Sequence, residues 1–350
     1  MDKQGTAGHP PAGWFDDGKA TTAEVQNQQP TYIDAIRAAL EDELAEDERV
    51  VLIGEDIGIM GGAFRATQGL WQRFGENRVI DTPISEIAIT GACIGMAISG
   101  MRPIAELQFA DFISCAYDQL VNEAAKLYFR FKCPVPIVMR APAGGGVGAG
   151  PYHSQSPEAV FAHCPGIKVV CPGTVQDAYD LMRLAAADPN PVLYFEHKAL
   201  YRSIRGPLLR RRPHGKLEEA RVLREGRHVT VVSYAAILNK TLDVAARLSD
   251  EGIDVEVIDL RCINPIDFDT IAASARKTSR VIIAHEDTLT LGAGAEIAAR
   301  LADLCFFDLD APVMRVTAPD TPIPAAKTLE EAFVPSHAKI EAAIREIVAL

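Results

Sequence analysis

Apolar and polar positions first fall into a regular pattern at Thr31, where Thr-x-x-Asp has the form of a capping arrangement. Ile33, Ile36, Ala39, Leu40 and Leu44 follow at helical spacing and predict an amphipathic helix. Short apolar runs at Val50 to Ile53, Pro103 to Leu107, Val135 to Met139, Ile167 to Val170 and Val192 to Phe195 then alternate with helix-like segments. That alternation predicts a parallel sheet covered on both faces, a first α/β domain over residues 31–203. Arg, Pro, Gly and Leu dominate residues 204–218, which read as a linker. A second α/β series over 219–350 has strand candidates at Val229 to Ser233, Val255 to Leu260, Val281 to Ala284 and Val313 to Thr317, and a last helix from about His337. Residues 1–30 mix Gly, Pro, Gln and Thr with charge and are expected to form a flexible tail, and no internal repeat stands out.

Composition narrows the function classes. A chain of 350 residues, 48% hydrophobic and 23% charged, suits a globular protein of more than one domain. Its net charge of -12 argues against coating nucleic acid or an anionic membrane, both of which need a basic footprint. The most apolar stretch, Ile87 to Met101, is too short to span a bilayer. Seven cysteines without a CxxC pair point to a reduced, cytoplasmic setting, and His163, Cys164 and Cys171 lack the spacing of a zinc site. Arg210, Arg211 and Arg212 read as a solvated hinge or, alternatively, as a patch for a phosphate or an acidic partner surface.

Candidate chemistry sits where strands end. Gly54-Glu55-Asp56 puts two acids on a glycine-permissive turn, a ligand position in open α/β sheets, or a plain turn in which Asp56 satisfies local N–H groups. In Asp81-Thr82-Pro83-Ile84-Ser85-Glu86, Ser85 is a candidate N-cap, and Glu86 opens a helix too apolar all round for a surface. Glu86 either complements the helix dipole or is a functional carboxylate whose apolar setting demands a partner. Gln108, Phe109, Ala110, Asp111 and Phe112 close another strand and are core or site. Gly144 to Gly150 formally match a dinucleotide fingerprint, but Pro151 to Pro157 follow where a helix must open, so a mobile loop carrying His153 is the better reading. Glu196-His197-Lys198 and His285-Glu286-Asp287 close strands and could line a cleft or an interface.

The ordered succession GED, GG-x-F, DTPISE, ELQFADF, PYHSQSPEAVFAHCPGIKVV and VEVIDLR with INP resembles the beta subunits of thiamine-diphosphate-dependent 2-oxoacid dehydrogenases, from about Tyr32 to the C-terminus. QFADF and YHSQSPEA look more like the branched-chain 2-oxoacid enzymes than the pyruvate or acetoin enzymes. The resemblance implies a transketolase-like pyrimidine-binding domain followed by a smaller transketolase C-terminal domain, in an alpha2-beta2 heterotetramer serving a lipoylated acyltransferase core. It also implies that the diphosphate and Mg²⁺ are held by a GDG motif of an alpha subunit, since this sequence contains none.

By that resemblance, Glu86 hydrogen-bonds the aminopyrimidine of the cofactor, while Glu55, Ile84, Ser85 and Gln108 surround it. Phe112 packs on the pyrimidine; close relatives often carry Tyr there, so stacking is kept and a hydroxyl is lost. Phe109, Ala110, Asp111, Phe112 and His153 border the 2-oxoacid, and His153 assists transfer of the acyl group to the lipoyl arm. A structural K⁺ near Ile137, Ala186, Asp188 and Asn190 is a further expectation, although Pro189 interrupts the usual run. A catalytically silent scaffold is the competing class; loss of Glu86 or His153 would favour it, and both are present.

Overall fold

A computed structural model describes residues 29–350, so the expected tail lies outside the described residues apart from Gln29 and Pro30. The first part of the chain supplies strands β1 (Val50–Gly54), β2 (Val79–Asp81), β3 (Arg102–Glu106), β4 (Val138–Ala143), β5 (Lys168–Val170) and β6 (Val192–His197). The second supplies β7 (Arg221–Arg224), β8 (Val229–Ser233), β9 (Val255–Asp259), β10 (Cys262–Asn264), β11 (Val281–Thr288) and β12 (Met314–Ala318). Helices α1 (Tyr32–Glu46), α2 (Leu70–Phe74), α3 (Glu86–Ile98), α4 (Ala125–Phe131), α5 (Glu158–Ala162), α6 (Val175–Ala187) and α7 (Leu200–Ser203) accompany the first sheet. Around the second lie α8 (Ala235–Ser249), α9 (Phe268–Thr278), α10 (Ala293–Leu304), α11 (Lys327–Phe333) and α12 (His337–Val348).

The first sheet runs β10-β5-β6-β4-β3-β1-β2, parallel except for β10; the second runs β12-β11-β8-β9-β7, parallel except for β7. The α/β expectation thus takes the form of two mostly parallel sheets. α1 begins with the capping box read from Thr31 and Asp34: the Thr31 Oγ1 accepts the Asp34 N–H at 3.3 Å and the Asp34 carboxylate accepts the Thr31 N–H at 3.0 Å.

Three differences from the sequence pattern have physical causes. β4 starts at Val138 rather than Val135, because Pro134 and Pro136 have no N–H to give a ladder. β10, only three residues long, crosses from the second half of the chain to pair antiparallel with β5, so the two parts share a sheet edge as well as a core in which Leu193 and Phe195 lie with Val232 and Leu260. Two of the three linker arginines are tied to the fold, while Arg211 is exposed. Arg210 pairs with Glu41 and Asp42, and Arg212 with Glu43, all on the acidic face of α1.

Candidate active site

Parallel register brings five loops to one edge of the first sheet. Gly54 stands beside Asp81 and Glu106, Glu106 beside Arg140, and Ala143 beside His197. The segments that follow, Glu55-Asp56, Thr82 to Glu86, Gln108 to Phe112, Gly144 to Gly150 and Lys198, therefore leave the sheet at its carboxyl end, where open α/β sheets bind ligands.

One cluster is acidic. The turn after β1 is closed by Asp81, whose Oδ1 accepts the Gly58 N–H at 2.6 Å; this is the backbone role that the sequence had offered to Asp56. Burial, then the charges of Asp56 and Glu86, push the Glu55 carboxyl above its ordinary range, so these three acids share one electrostatic field. Gln108 Nε2 reaches Asp56 Oδ2 at 3.5 Å, placing Gln108 on the same cluster. Ser85 occupies the N-cap position of α3 but makes no side-chain cap bond, a correction to the expected capping.

Glu86 is half-buried, and among the described residues nothing pairs with its carboxylate. α3 is also not buried all round. Ile89, Cys93, Ile94 and Ala97 pack inward, whereas Ile87 and Ile98 are about half exposed and Ile84, just before the helix, is 75% exposed. An apolar run in sequence reports burial without saying against which chain. Nearby, the hydroxyls of Thr82 and Thr90 are buried without a hydrogen-bond partner. An unpaired carboxylate, orphaned hydroxyls and an open apolar face fit the pyrimidine half of a thiamine cofactor, which has ring nitrogens, an amino group and a flat apolar body.

The second cluster is aromatic. His153 packs edge-on against Phe109 and Phe112, with ring centroids 4.7 and 5.5 Å away; Phe109 also meets Phe64 of the GG-x-F segment at 5.4 Å. Phe109, Phe112 and His153 thus form one wall, and Gln108 connects it to the acids. Behind Phe109 the amine of Lys198, 5.8 Å from the ring, contacts the Pro142 carbonyl at 3.4 Å, and burial pushes it down to about 8. Asp111 turns inward: its Oδ1 accepts from Gln155 N at 3.2 Å and Gln155 Nε2 at 2.8 Å. The loop expected to be mobile is anchored, since its glycine N–H groups donate to Glu286 and Glu330 from the second half of the chain.

Beneath both clusters lies a buried charge network centred on Arg140, which the motif reading passed over although it named Glu106 and Glu196. Arg140 donates to Glu106 at 2.6 Å and to Glu196 at 2.6 and 3.1 Å, and the Tyr201 hydroxyl donates to Glu196 at 2.7 Å. A signal was present: one Arg inside the apolar run Val135 to Ala143 implies a buried cation, and Glu106 and Glu196 end the neighbouring strands. Glu330 carried no comparable signal.

The potassium corner lies at the opposite, amino end of the sheet. There Arg102 donates to the Ala186 carbonyl at 2.9 and 2.5 Å and to the Asp188 carbonyl at 3.2 Å. Lys168 and the Asn190 N–H take the Asp188 carboxylate at 2.7 and 2.9 Å, and the Ile137 carbonyl accepts from Val192 N at 3.0 Å. These oxygens serve the chain's own cations and amides. They do not fit a potassium ion, which a guanidinium this close would repel.

Comparison with known proteins agrees with this geometry. Residues 28–203 match the transketolase pyrimidine-binding domain and residues 218–340 the transketolase C-terminal domain. A solved split-gene transketolase, described as an inactive beta4 tetramer, superposes with a TM-score of 0.75 at 21% identity over 92% of this chain and 99% of that one, a likeness of fold. The class is therefore that of transketolase-type proteins, a thiamine-diphosphate-dependent family. The 2-oxoisovalerate dehydrogenase subunit beta of Bacillus subtilis is 47% identical over 91% of this chain and 98% of its own length. The 3-methyl-2-oxobutanoate dehydrogenase subunit beta of Mycobacterium tuberculosis is 44% identical (88% and 89%), and the pyruvate dehydrogenase E1 component subunit beta of Bacillus subtilis 40% (91% and 99%). The chain belongs to the beta subunits of 2-oxoacid dehydrogenases.

Proposed function

We propose that this chain supplies half of an active site that an alpha subunit completes in an alpha2-beta2 heterotetramer. The site decarboxylates a 2-oxoacid and passes the acyl group to the lipoyl group of an acyltransferase core. The observation that carries this reading is Glu86, an unpaired carboxylate at the head of a helix whose outer face is apolar and open. Uncovered, that face would expose Ile84, Ile87 and Ile98 to water; covered by a second chain, it buries them and removes Glu86 from solvent.

Thiamine diphosphate, when bound, supplies the electron sink that the loss of CO₂ requires. Glu86 would hold a proton on the pyrimidine ring nitrogen by a charge-assisted hydrogen bond, with Glu55, Ile84, Ser85 and Gln108 around it and Phe112 against its face. Phe109 and Phe112 would border the substrate, whereas Ala110, expected beside them, is fully buried and Asp111 is taken up by Gln155. His153, which packs on the aromatic wall, would give a proton to the departing sulfur during acyl transfer. Diphosphate and Mg²⁺ fall to the alpha subunit, because this chain has no GDG motif.

Branched-chain 2-oxoacids are the favoured substrates, supported by relatives of that name at 47% and 44% identity; pyruvate, supported at 40%, is the alternative. Co-expression with the alpha partner and comparison of 3-methyl-2-oxobutanoate with pyruvate tests both parts. Activity in the mixture but in neither chain alone, with the branched acid preferred, is expected. A pyruvate preference changes the substrate and keeps the shared site, whereas an assembled but inactive complex returns the scaffold reading.

A further inference from the structure

The glycine loop between β4 and His153 is the sequence motif that the proposed chemistry leaves without a role. Its backbone is tied to two acids from the far half of the chain. Gly145 N–H donates to Glu286 Oε1 at 2.5 Å, Gly146 N–H to Glu330 Oε1 at 2.9 Å, and Gly148 N–H to Glu330 Oε2 at 2.9 Å. Glu286 is 6% exposed and Glu330 4%, so neither acid has water to fall back on. The other oxygen of Glu286 pairs with His197 Nε2 at 2.9 Å, and Ser156 Oγ approaches Oε1 at 3.4 Å.

Glycine is required for this fit. A Cβ on Gly144, whose φ is +83°, would stand 2.1 Å from His197 Nε2, and one on Gly145 would meet Ile323 at 2.5 Å and Glu330 and Glu286 at 3.3 and 3.4 Å. The far end of the loop is fixed as well. His153 N–H donates to the Gly150 carbonyl at 3.2 Å, Gly144 N–H to the Gln155 carbonyl at 2.9 Å, and Gln155 to Asp111, one residue from Phe112. Successive backbone N–H groups turned toward one carboxylate form an anion-binding concavity. Here the anion is a side chain of the protein itself.

We propose that Glu330, with Glu286, is a positioning residue for acyl transfer: its carboxylate fixes the glycine loop and thereby holds His153 against Phe109 and Phe112. The proposal rests on the reading of His153 given above. It assigns the second half of the chain a function at the site beyond any surface for assembly, since α11 reaches into the loop through Glu330. Glu330→Gln preserves shape but turns an NH₂ toward a glycine N–H, placing donor against donor.

The test is a double-mutant cycle in the assembled alpha–beta complex. It reads reductive acylation of free lipoyl domain and, separately, decarboxylation coupled to an artificial electron acceptor. Glu330→Gln is expected to cost on the order of tenfold in kcat for acylation, at least several times its loss in decarboxylation, as a misplaced group does. In a His153→Ala background the same substitution should cost less than about twofold, because a residue that acts through another does not add to its loss. Equal losses in both reactions, or an undiminished loss without His153, would overturn the positioning role alone. An unchanged acylation rate in His153→Ala itself would remove the underlying reading and this proposal with it. If Glu330→Gln fails to assemble, Gly148→Ala strains the same loop at φ +72° while leaving Glu330 in place, and the same cycle decides.

Discussion

Glu86 and Glu286 are both glutamates just beyond or within the carboxyl end of a parallel strand, and they live in opposite settings. Glu86 is half-solvated and unpaired beside two other acids, under an apolar helix face with nothing on it. Glu286 is sealed in the seam between the two halves of the chain. Burial works against its charged form, but His197 and the Gly145 N–H hold its carboxyl down at about 2. The acid whose partners are all present in this chain can act only through the backbone it holds; the acid whose surroundings are unfinished is the one to expect in contact with a ligand at a shared site. The Arg140 network sides with Glu286, since its charges are buried and complete within the chain.

Breaking the unfinished side should affect rate and spare assembly. Glu86→Gln, with the alpha subunit present, is expected to lower single-turnover decarboxylation by roughly a thousandfold, in the range of lost acid–base catalysis. Assembly should persist, as the substitution is isosteric and removes no pair. A near-normal rate would end the assignment of Glu86. Breaking the finished side should do the reverse. Arg140→Met leaves Glu106 and Glu196 buried without their cation and is expected to cost about 3–5 kcal/mol of stability, read as a lowered urea midpoint. A stability change under about 1 kcal/mol would mean that one of those acids is protonated in the native protein.

The seam also makes a pH prediction whose sign can be worked out. His285 is 1% exposed, stacks on Tyr234 and accepts the Gly294 N–H at its Nε2 at 3.1 Å, which leaves no place for a second proton; burial, then Arg315, push it down to about 4. Its unfolded value is near 6.5, so between about pH 6.5 and 4 the unfolded chain binds the extra proton. The stability that His285 contributes is therefore fully present above pH 6.5 and is lost as pH falls toward 4. Glu158, close by and bonded to Tyr234, is pushed up to about 8 by burial and then Asp287, and works the other way: it stabilises below pH 4.5 and loses that contribution as pH rises toward 8. The wild-type profile mixes both, so the informative quantity is the difference between wild type and His285→Gln. That difference should shrink by about 2 kcal/mol between pH 7 and pH 4.5, measured by urea unfolding. A constant difference would mean that His285 is protonated in the fold.

How much of this could be read from the chain follows the same division. β1, β3, β8 and β9 were legible because apolar runs report buried strands, and the α1 capping box because its spacing is local. The short strands β2, β7 and β10 escaped, since a run such as Arg221 to Arg224 becomes a strand only by tertiary pairing with β9. Gln108, Phe109, Phe112 and His153 were legible as a motif, and the aromatic wall joins the last three. Glu330 was not legible, because one exposed-looking acid in Lys327 to Phe333 becomes buried only when the two halves of the chain meet. Glu86 was visible in the sequence while its openness was not, for hydrophobicity along α3 is the same whether a neighbouring helix or another subunit covers it.

The smallest expected effect bears on the finished side at its far corner. If the chain completes its own buried charges, the Arg102 guanidinium on the Ala186 and Asp188 carbonyls takes the cationic place there, and potassium has nothing to add. A specifically bound ion at a hundred times its dissociation constant would stabilise the fold by about 2.7 kcal/mol, several degrees in Tm for a chain of this size. The full chain should instead unfold within about one degree of the same temperature in potassium and choline chloride at equal ionic strength, because screening is then the same. A rise of several degrees specific to potassium would show that Arg102 yields its oxygens to an ion, and that this corner, like the face above Glu86, is unfinished in the isolated chain.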